Sequence, residues 1–358
     1  MKIVIILGTR PEIIKLSPLI RECEKRGTDY FILHTGQHYS RNMDRIFFEQ
    51  LELPEPKYNL CIGSSSHGEQ TGKMMMGIEE ILIKESPDFA LLQGDTNTVL
   101  AGAIVAAKLG IKVGHVEAGL RSYDRRMPEE INRVLTDHCS DYLFSPTEKS
   151  RETLIGEGIP AEMIFVTGNT IVDAVFQNLE IADNRVHILN DLHLKAGEYF
   201  LATVHRQENV DEKKIFEGII KALELVAEEF GLPVIYPIHP RAKKRMEEFD
   251  IEANTIEFID PLDYPGFLQL ESNARLVLTD SGGVQEETCI LNIPCVTLRD
   301  NTERPETIEA GSNIIAGTSP EKIQDSVRQM VKAKKNWANP FGDGRAGEKI
   351  IGILERHV

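Results

Sequence analysis

Three acidic residues stand where the chain could move a proton. Asp95 lies in Gly94-Asp95-Thr96-Asn97, just after the apolar pair Leu91-Leu92. Glu117 follows Val113 and Val116 and precedes the small pair Ala118-Gly119, and Glu129 sits in a Pro128-Glu129-Glu130 helix start. Arg121, Arg125, Arg126 and Arg133 surround the last two. Asp95 and Glu117 each read as the end of a buried strand, and in a parallel α/β sheet ligands bind at those carboxyl ends. The three carboxylates are therefore expected to face one pocket edged by arginines. Such a pocket suits acid–base chemistry on an anionic substrate. For any single acid, helix capping and arginine pairing is a serious competing reading.

A second group of residues suits phosphate. The strand Arg275 to Thr279 delivers Asp280-Ser281-Gly282-Gly283 and then a helix containing Glu286 and Glu287. Ser281, Gly282 and Gly283 leave backbone N–H groups open at a helix start, which suits a pyrophosphate. Glu287, about one turn in, is placed to hold ribose hydroxyls; an ordinary glycine-rich turn is nearly as good a reading. Arg304, in Arg299-Asp300-Asn301-Thr302-Glu303-Arg304, adds a further cation. Gly8-Thr9-Arg10-Pro11-Glu12 opens another helix, with Arg10 and Lys15 near its start. They suit an anion and equally well suit a solvated surface. His38, His205 and His239 also fall at strand ends. No GxGxxG is present, which disfavours a nicotinamide dinucleotide.

Alternating strand and helix patterns must position these groups, and they predict doubly wound α/β architecture. Strands are expected at Lys2–Leu7, Tyr30–Thr35, around Leu91-Leu92 and Val113–Val116, then at Tyr142–Ser145, Ile164–Val166, Phe200–Val204, Val234–Ile238, Ile256–Ile259, Arg275–Thr279 and Pro294–Leu298. A helix is expected from about His67 to Lys84, with Met74-Met75-Met76 as core packing. The polar stretch after Asn169 predicts a domain junction there, giving residues 1–169, residues 170–344 and a final helix within 345–358. The 358 residues suffice for two cores. A formal net charge of -16 argues against nucleic acid as a partner. Five cysteines, odd in number and without CxxC spacing, read as reduced and mostly buried thiols of a cytoplasmic protein. The histidines lack metal-ligand spacing, so no metal is expected. The run Ile3 to Leu7 is too short to span a membrane.

Taken together, GTRPE (8–12), GQH (36–38), GDT (94–96), HVEAGLR (115–121), PEE-NR (128–133), HR-EN (205–209), DSGG-QEE (280–287) and RD-TERPE (299–306) resemble the non-hydrolysing UDP-N-acetylglucosamine 2-epimerases along the whole chain. The resemblance implies two Rossmann-like domains facing a central cleft, the glycosyltransferase-B-like arrangement, in a homodimer that uses UDP-N-acetylglucosamine and UDP without metal or NAD. It assigns Asp95, Glu117 and Glu129 as catalytic acids. Arg10, Lys15, His205, Ser281, Gly282, Gly283, Glu287 and Arg304 become substrate contacts. Gln37, His38, Gln70, Arg206 and His239 would bind a second UDP-sugar as activator. Two departures lie near those activator positions: Ser122 to Met127 is shorter than in many bacterial members and lacks a tryptophan, and Glu69 stands where many carry arginine.

The implied chemistry is demanding. The C2 hydrogen of a UDP-sugar is not acidified by a carbonyl, so the expected route expels UDP as C2–H breaks, giving a 2-acetamidoglucal. It needs a base and an acid on opposite faces, plus cations for the departing pyrophosphate. Holding one glutamate protonated near pH 7 costs about 3–4 kcal/mol. Which carboxylate is acid and which is base stays open at this point. So do a glycosyltransferase, a hydrolysing epimerase and a UDP-sugar sensor.

Overall fold

A computed structural model describes residues 1–37 and 41–357. The chain divides into one unit of Met1–Gln177 with Phe341–Val358, and another of Asn178–Pro340.

The first unit is built on a parallel sheet of β1 (Lys2–Leu7), β2 (Asp29–His34), β3 (Tyr58–Asn59), β4 (Phe89–Gln93), β5 (Lys112–Val116), β6 (Tyr142–Ser145) and β7 (Ile164–Val166). Its order is β3-β2-β1-β4-β5-β6-β7. Helices cover both faces, so the strands read as unbroken apolar runs. Val4, Ile6, Leu33, Ala90 and Leu92 pack on Met74 and Ile78 of the helix His67–Glu85 and on Val99 and Val105 of the helix Asn97–Lys108. Ile3, Ile5 and Leu7, on the other face of β1, are equally buried. The strand order reverses between β1 and β4, and this switch point opens the crevice where doubly wound sheets bind ligands. The turns beside it carry Gly8-Thr9-Arg10 and Gly94-Asp95.

The second unit repeats the plan with β8 (Phe200–Thr203), β9 (Val234–Pro237), β10 (Ile256–Ile259), β11 (Leu276–Thr279), β12 (Cys295–Thr297) and β13 (Asn313–Ile315), ordered β10-β9-β8-β11-β12-β13 and all parallel. Phe200, Ala202, Val234, Tyr236, Leu276 and Leu278 pack on Phe216, Ile219 and Leu223 of the helix Lys213–Phe230. Its switch point lies between β8 and β11, whose turns carry His205-Arg206 and Asp280-Ser281-Gly282.

Two expectations change. The division falls inside the helix Thr170–Arg185, after Gln177, rather than at Asn169. Asp173 in that helix accepts the Ala346 and Gly347 N–H groups at 3.1 and 2.9 Å, so the start of the helix belongs with the first unit. The helix Ala346–Glu355 packs on Arg10–Arg26, where Gly347 lies so close to the Pro18 backbone that a Cβ would meet its oxygen at 3.1 Å. Met76 is 67% exposed, so the methionine run is only partly core. The cysteines are mostly buried, as expected: Cys23, Cys289 and Cys295 are buried and Cys139 partly so, while Cys61 is exposed. Among the described residues no helix is long and apolar enough to cross a membrane.

Candidate active site

In the first unit, β4 and β5 pair with Gln93 beside Val116, so Gly94-Asp95 and Glu117 leave the sheet side by side. Adjacent strands lie about 4.8 Å apart. Glu117 is 8% exposed and takes φ +71°, a left-handed conformation that a residue with a side chain adopts at a cost. Both its oxygens lie 2.8 Å from Lys15 Nζ. Gln93 donates to Oε2, and Asn169 Nδ2 donates to Oε1 at 3.4 Å. Lys15, expected at a phosphate, is thus paired with the Glu117 carboxylate. Asp95 is hydrogen-bonded by Arg133, which also reaches Glu130 at 3.2 Å. Asn132 Nδ2 donates to the Asp95 carbonyl at 2.9 Å. Glu129 is exposed in the first turn of the helix Pro128–Cys139.

The expected rim of arginines is smaller than the sequence suggests. Arg121 is buried against Asp137 and Glu157, 2.7 Å from each. Arg126 is exposed and pairs with Asp124, and Arg125 is exposed as well. Only Arg133 of the four pairs with one of the three acids. Arg10 stacks its guanidinium over the Phe47 ring, 5.5 Å from the centroid.

Glu12 anchors the turn that carries Arg10. Gly8 N–H and Thr9 N–H donate to Oε2 at 2.6 and 2.9 Å, and the Thr96 hydroxyl donates to Oε1. The β1 and β4 turns are thereby tied through one carboxyl. Gly8 must be glycine here, since a Cβ would sit 2.1 Å from Thr35 Oγ1 and 2.3 Å from Thr98 Oγ1. Burial pushes the Glu12 carboxyl up to about 7, outweighing the hydrogen bonds from Thr96, Gly8 and Thr9 that favour its anion. Between its ordinary value and about 7 the folded chain holds a proton that the unfolded chain has lost. The stability from this group is therefore complete at low pH and falls as pH rises through that window. Glu12→Gln abolishes the titration. Denaturant unfolding from pH 5 to 8 should show the variant gaining on the wild type by about 2.5 kcal/mol, and parallel curves would refute the assignment.

In the second unit Asp280, fully buried, organises the switch point. It accepts His205 N–H at 3.0 Å, Arg206 N–H at 2.9 Å and Asn209 Nδ2 at 3.0 Å. His205 Nδ1 lies 3.0 Å from its Oδ1 while the ring is 45% exposed. Burial pushes the Asp280 carboxyl up, but the His205 contact and the backbone donors hold it below the ordinary range. His239, with its ring centroid 6.3 Å from that of His205, caps the helix Pro240–Phe249 by accepting Arg241 N–H at 3.2 Å. Burial, then the neighbouring His205 and Arg241, lower its pKa. Ser281 Oγ caps the helix Gly282–Ile290. Glu287 accepts the Tyr264 hydroxyl at 2.9 Å. Arg304 pairs with Glu286 at 2.8 Å.

The profile of the family described as UDP-N-acetylglucosamine 2-epimerase matches residues 21–355. The chain belongs to that family. It is similar to the UDP-N-acetylglucosamine 2-epimerase of Methanocaldococcus jannaschii, 58% identical over 99% of both chains. It is also similar to that of Methanococcus maripaludis, 54% identical over 99% of this chain and 98% of the relative. The crystal structure of the Methanocaldococcus jannaschii UDP-GlcNAc 2-epimerase in complex with UDP-GlcNAc and UDP superposes with a TM-score of 0.87, covering 99% of this chain and all of the other. The Neisseria meningitidis epimerase bound to UDP-GlcNAc, 33% identical, gives the same TM-score of 0.87 over 99% of this chain and 100% of the other.

Within this family member, the residues assigned to a second sugar fall into two groups. Gln70 Nε2 donates to the Gln37 carbonyl at 3.2 Å, and Asn97 Nδ2 donates to Gln70 Oε1 at 2.9 Å. Asn132 bonds both Asn97 and the Asp95 carbonyl, so Gln37 and Gln70 connect to the Asp95 turn through two amides. Arg206 and His239 lie in the second unit, and His38 lies outside the described residues. Sequence reasoning passed over Glu12, Gln93, His115, Asp137, Asn169 and Asp280 as working residues. Glu12 carried a signal: Thr9-x-x-Glu12 ahead of an apolar run is a capping box. The others are polar residues inside strands, helices or turns, and nothing in their local spacing marks them.

Proposed function

We propose that the chain reverses the configuration at C2 of UDP-N-acetylglucosamine, giving UDP-N-acetylmannosamine, and that it does so by eliminating and re-adding UDP. The observation that carries this reading is the full-length similarity to an epimerase crystallised with UDP-GlcNAc and UDP; Asp95, Glu117 and Glu129 are the acids that the sequence resemblance assigns to the reaction. In the forward step a carboxylate takes the C2 proton. The C–H electron pair forms the C1=C2 double bond, and the C1–O bond breaks with its pair leaving on UDP. In the return step UDP attacks C1 and a carboxylic acid delivers a proton to the opposite face of C2. Glu117, with Lys15 against both oxygens, suits the anionic role; Asp95 and Glu129 are the partners for the other face. The diphosphate falls to the Ser281 hydroxyl, the N–H groups of Gly282 and Gly283 and His205, since the Ser281 N–H already donates to Thr279 Oγ1 at 2.9 Å. Glu287 takes the ribose hydroxyls.

Incubating the protein with UDP-N-acetylglucosamine in D2O and following the 1H spectrum tests the route. UDP-N-acetylmannosamine carrying deuterium at C2, in an equilibrium mixture, is the expected product. Free UDP with a free sugar would replace the reading with hydrolysis. Binding without turnover would make the protein a sensor.

A further inference from the structure

Asp137 lies in the helix Pro128–Cys139, two turns beyond Glu129, and is 1% exposed. Its oxygens gather donors from both strand-end turns. Oδ1 lies 2.6 Å from His115 Nδ1, while Oδ2 accepts Gly119 N–H at 3.3 Å and pairs with Arg121 at 2.7 Å. His115, at 1% exposure on β5, reaches the Gly94 carbonyl with Nε2 at 2.8 Å. One carboxylate therefore holds the turn after Glu117 directly and the turn carrying Asp95 through a single imidazole. Its own helix carries Glu129.

We propose that Asp137 and His115 are positioning residues, a buried brace that fixes the three acids Asp95, Glu117 and Glu129 relative to one another. This rests on the epimerase reading above. A carbonyl and a carboxylate both need a donor, so each ring nitrogen of His115 carries a proton. Burial pushes the Asp137 carboxyl up, but His115 and Arg121 outweigh that and keep it ionised as the acceptor. Gly94 and Gly119 take φ of +86° and +85°, so both braced turns have backbones few other residues would adopt. At Gly119 a Cβ would lie 2.4 Å from the Ser150 carbonyl oxygen, so the turn has no room to drift. Arg121 and Glu157 complete the charged surroundings of the pair.

His115 and Asp137 belong to the first unit, whereas the residues proposed for the diphosphate belong to the second, so loosening the brace is expected to act on the chemical step. An ångström of misplacement costs about a hundredfold in rate. His115→Ala is expected to lower kcat by about that factor, with KM and the Kd for UDP nearly unchanged. His115→Gln, whose amide can stand in for Nε2 against the Gly94 carbonyl, should recover part of the loss. Asp137→Asn should lower kcat while UDP affinity survives. The 15N spectrum of histidine-labelled wild type, assigned by the signals missing from His115→Gln, should show protons on both His115 nitrogens. Wild-type kcat in His115→Ala, or a His115 ring with one bare nitrogen, would overturn the brace. So would joint loss of kcat and UDP binding in both the alanine and the glutamine variants. A wild-type protein that does not epimerise would instead sink the epimerase reading, and the 15N result would still test the link between His115 and Asp137.

Discussion

Glu117→Gln is expected to lower the epimerisation rate by about a thousandfold or more while leaving the affinity for UDP intact. Glutamine keeps the shape of the side chain but cannot take a proton. It also replaces one acceptor by a donor where three side chains donate: Lys15 faces both oxygens at 2.8 Å, and Gln93 and Asn169 each donate to one. The backbone supports a functional reason for an acid here. A non-glycine residue at φ +71° carries strain of about 1–3 kcal/mol, and Glu117 adopts that conformation with its carboxylate buried against a lysine. Initial rates by NMR and UDP binding by calorimetry separate the two effects. Turnover near the wild-type level would remove Glu117 from the acid–base set.

The same residues show what a sequence makes legible. Both sheets can be read because parallel strands buried on two faces become apolar runs such as Ile3 to Leu7, and because each run ends in a polar turn at the switch point. The two-residue strand Tyr58–Asn59 is too short to leave such a run. Asp95, Glu117 and Ser281 were legible for the same reason as the strands, since each stands one or two residues past a strand end. Their support was not. Lys15 and Glu117 are 102 residues apart, and Asn169 and Glu117 are 52 apart, so their pairing is a product of tertiary packing. Arg121 misled for a related reason. Its spacing places it beside the acids, yet the fold turns it inward to Asp137. The junction at Asn169 was drawn from polarity alone, whereas Asp173 binds the returning helix and carries the first unit eight residues further.

Asp280→Ala is expected to give the largest loss of stability of any single change at the site. The carboxylate is fully buried at the end of β11 and is the shared acceptor for His205 N–H, Arg206 N–H, the Asn209 amide and the His205 ring. Removing one partner of a buried charged pair costs about 3–5 kcal/mol, because the groups left behind stay desolvated and unpaired. For a unit of this size that is a fall in melting temperature of about 6–20 °C. The carboxyl is held below its ordinary value, so its contribution is present above about pH 4 and is lost as pH falls through the folded value. The wild-type and Asp280→Ala melting curves should therefore converge in acid. Asp280→Asn separates stability from catalysis. The amide oxygen still accepts the two backbone N–H groups, but its nitrogen turns a donor toward His205 Nδ1. That variant should fold and still lose UDP-sugar turnover: in the proposed reading the His205 ring donates to Asp280 through Nδ1 and to the diphosphate through Nε2, and an amide donor at Asp280 removes the acceptor that supports the doubly donating ring. Full activity in Asp280→Asn, with a normal melting temperature, would leave Asp280 a purely structural acceptor and His205 outside the reaction.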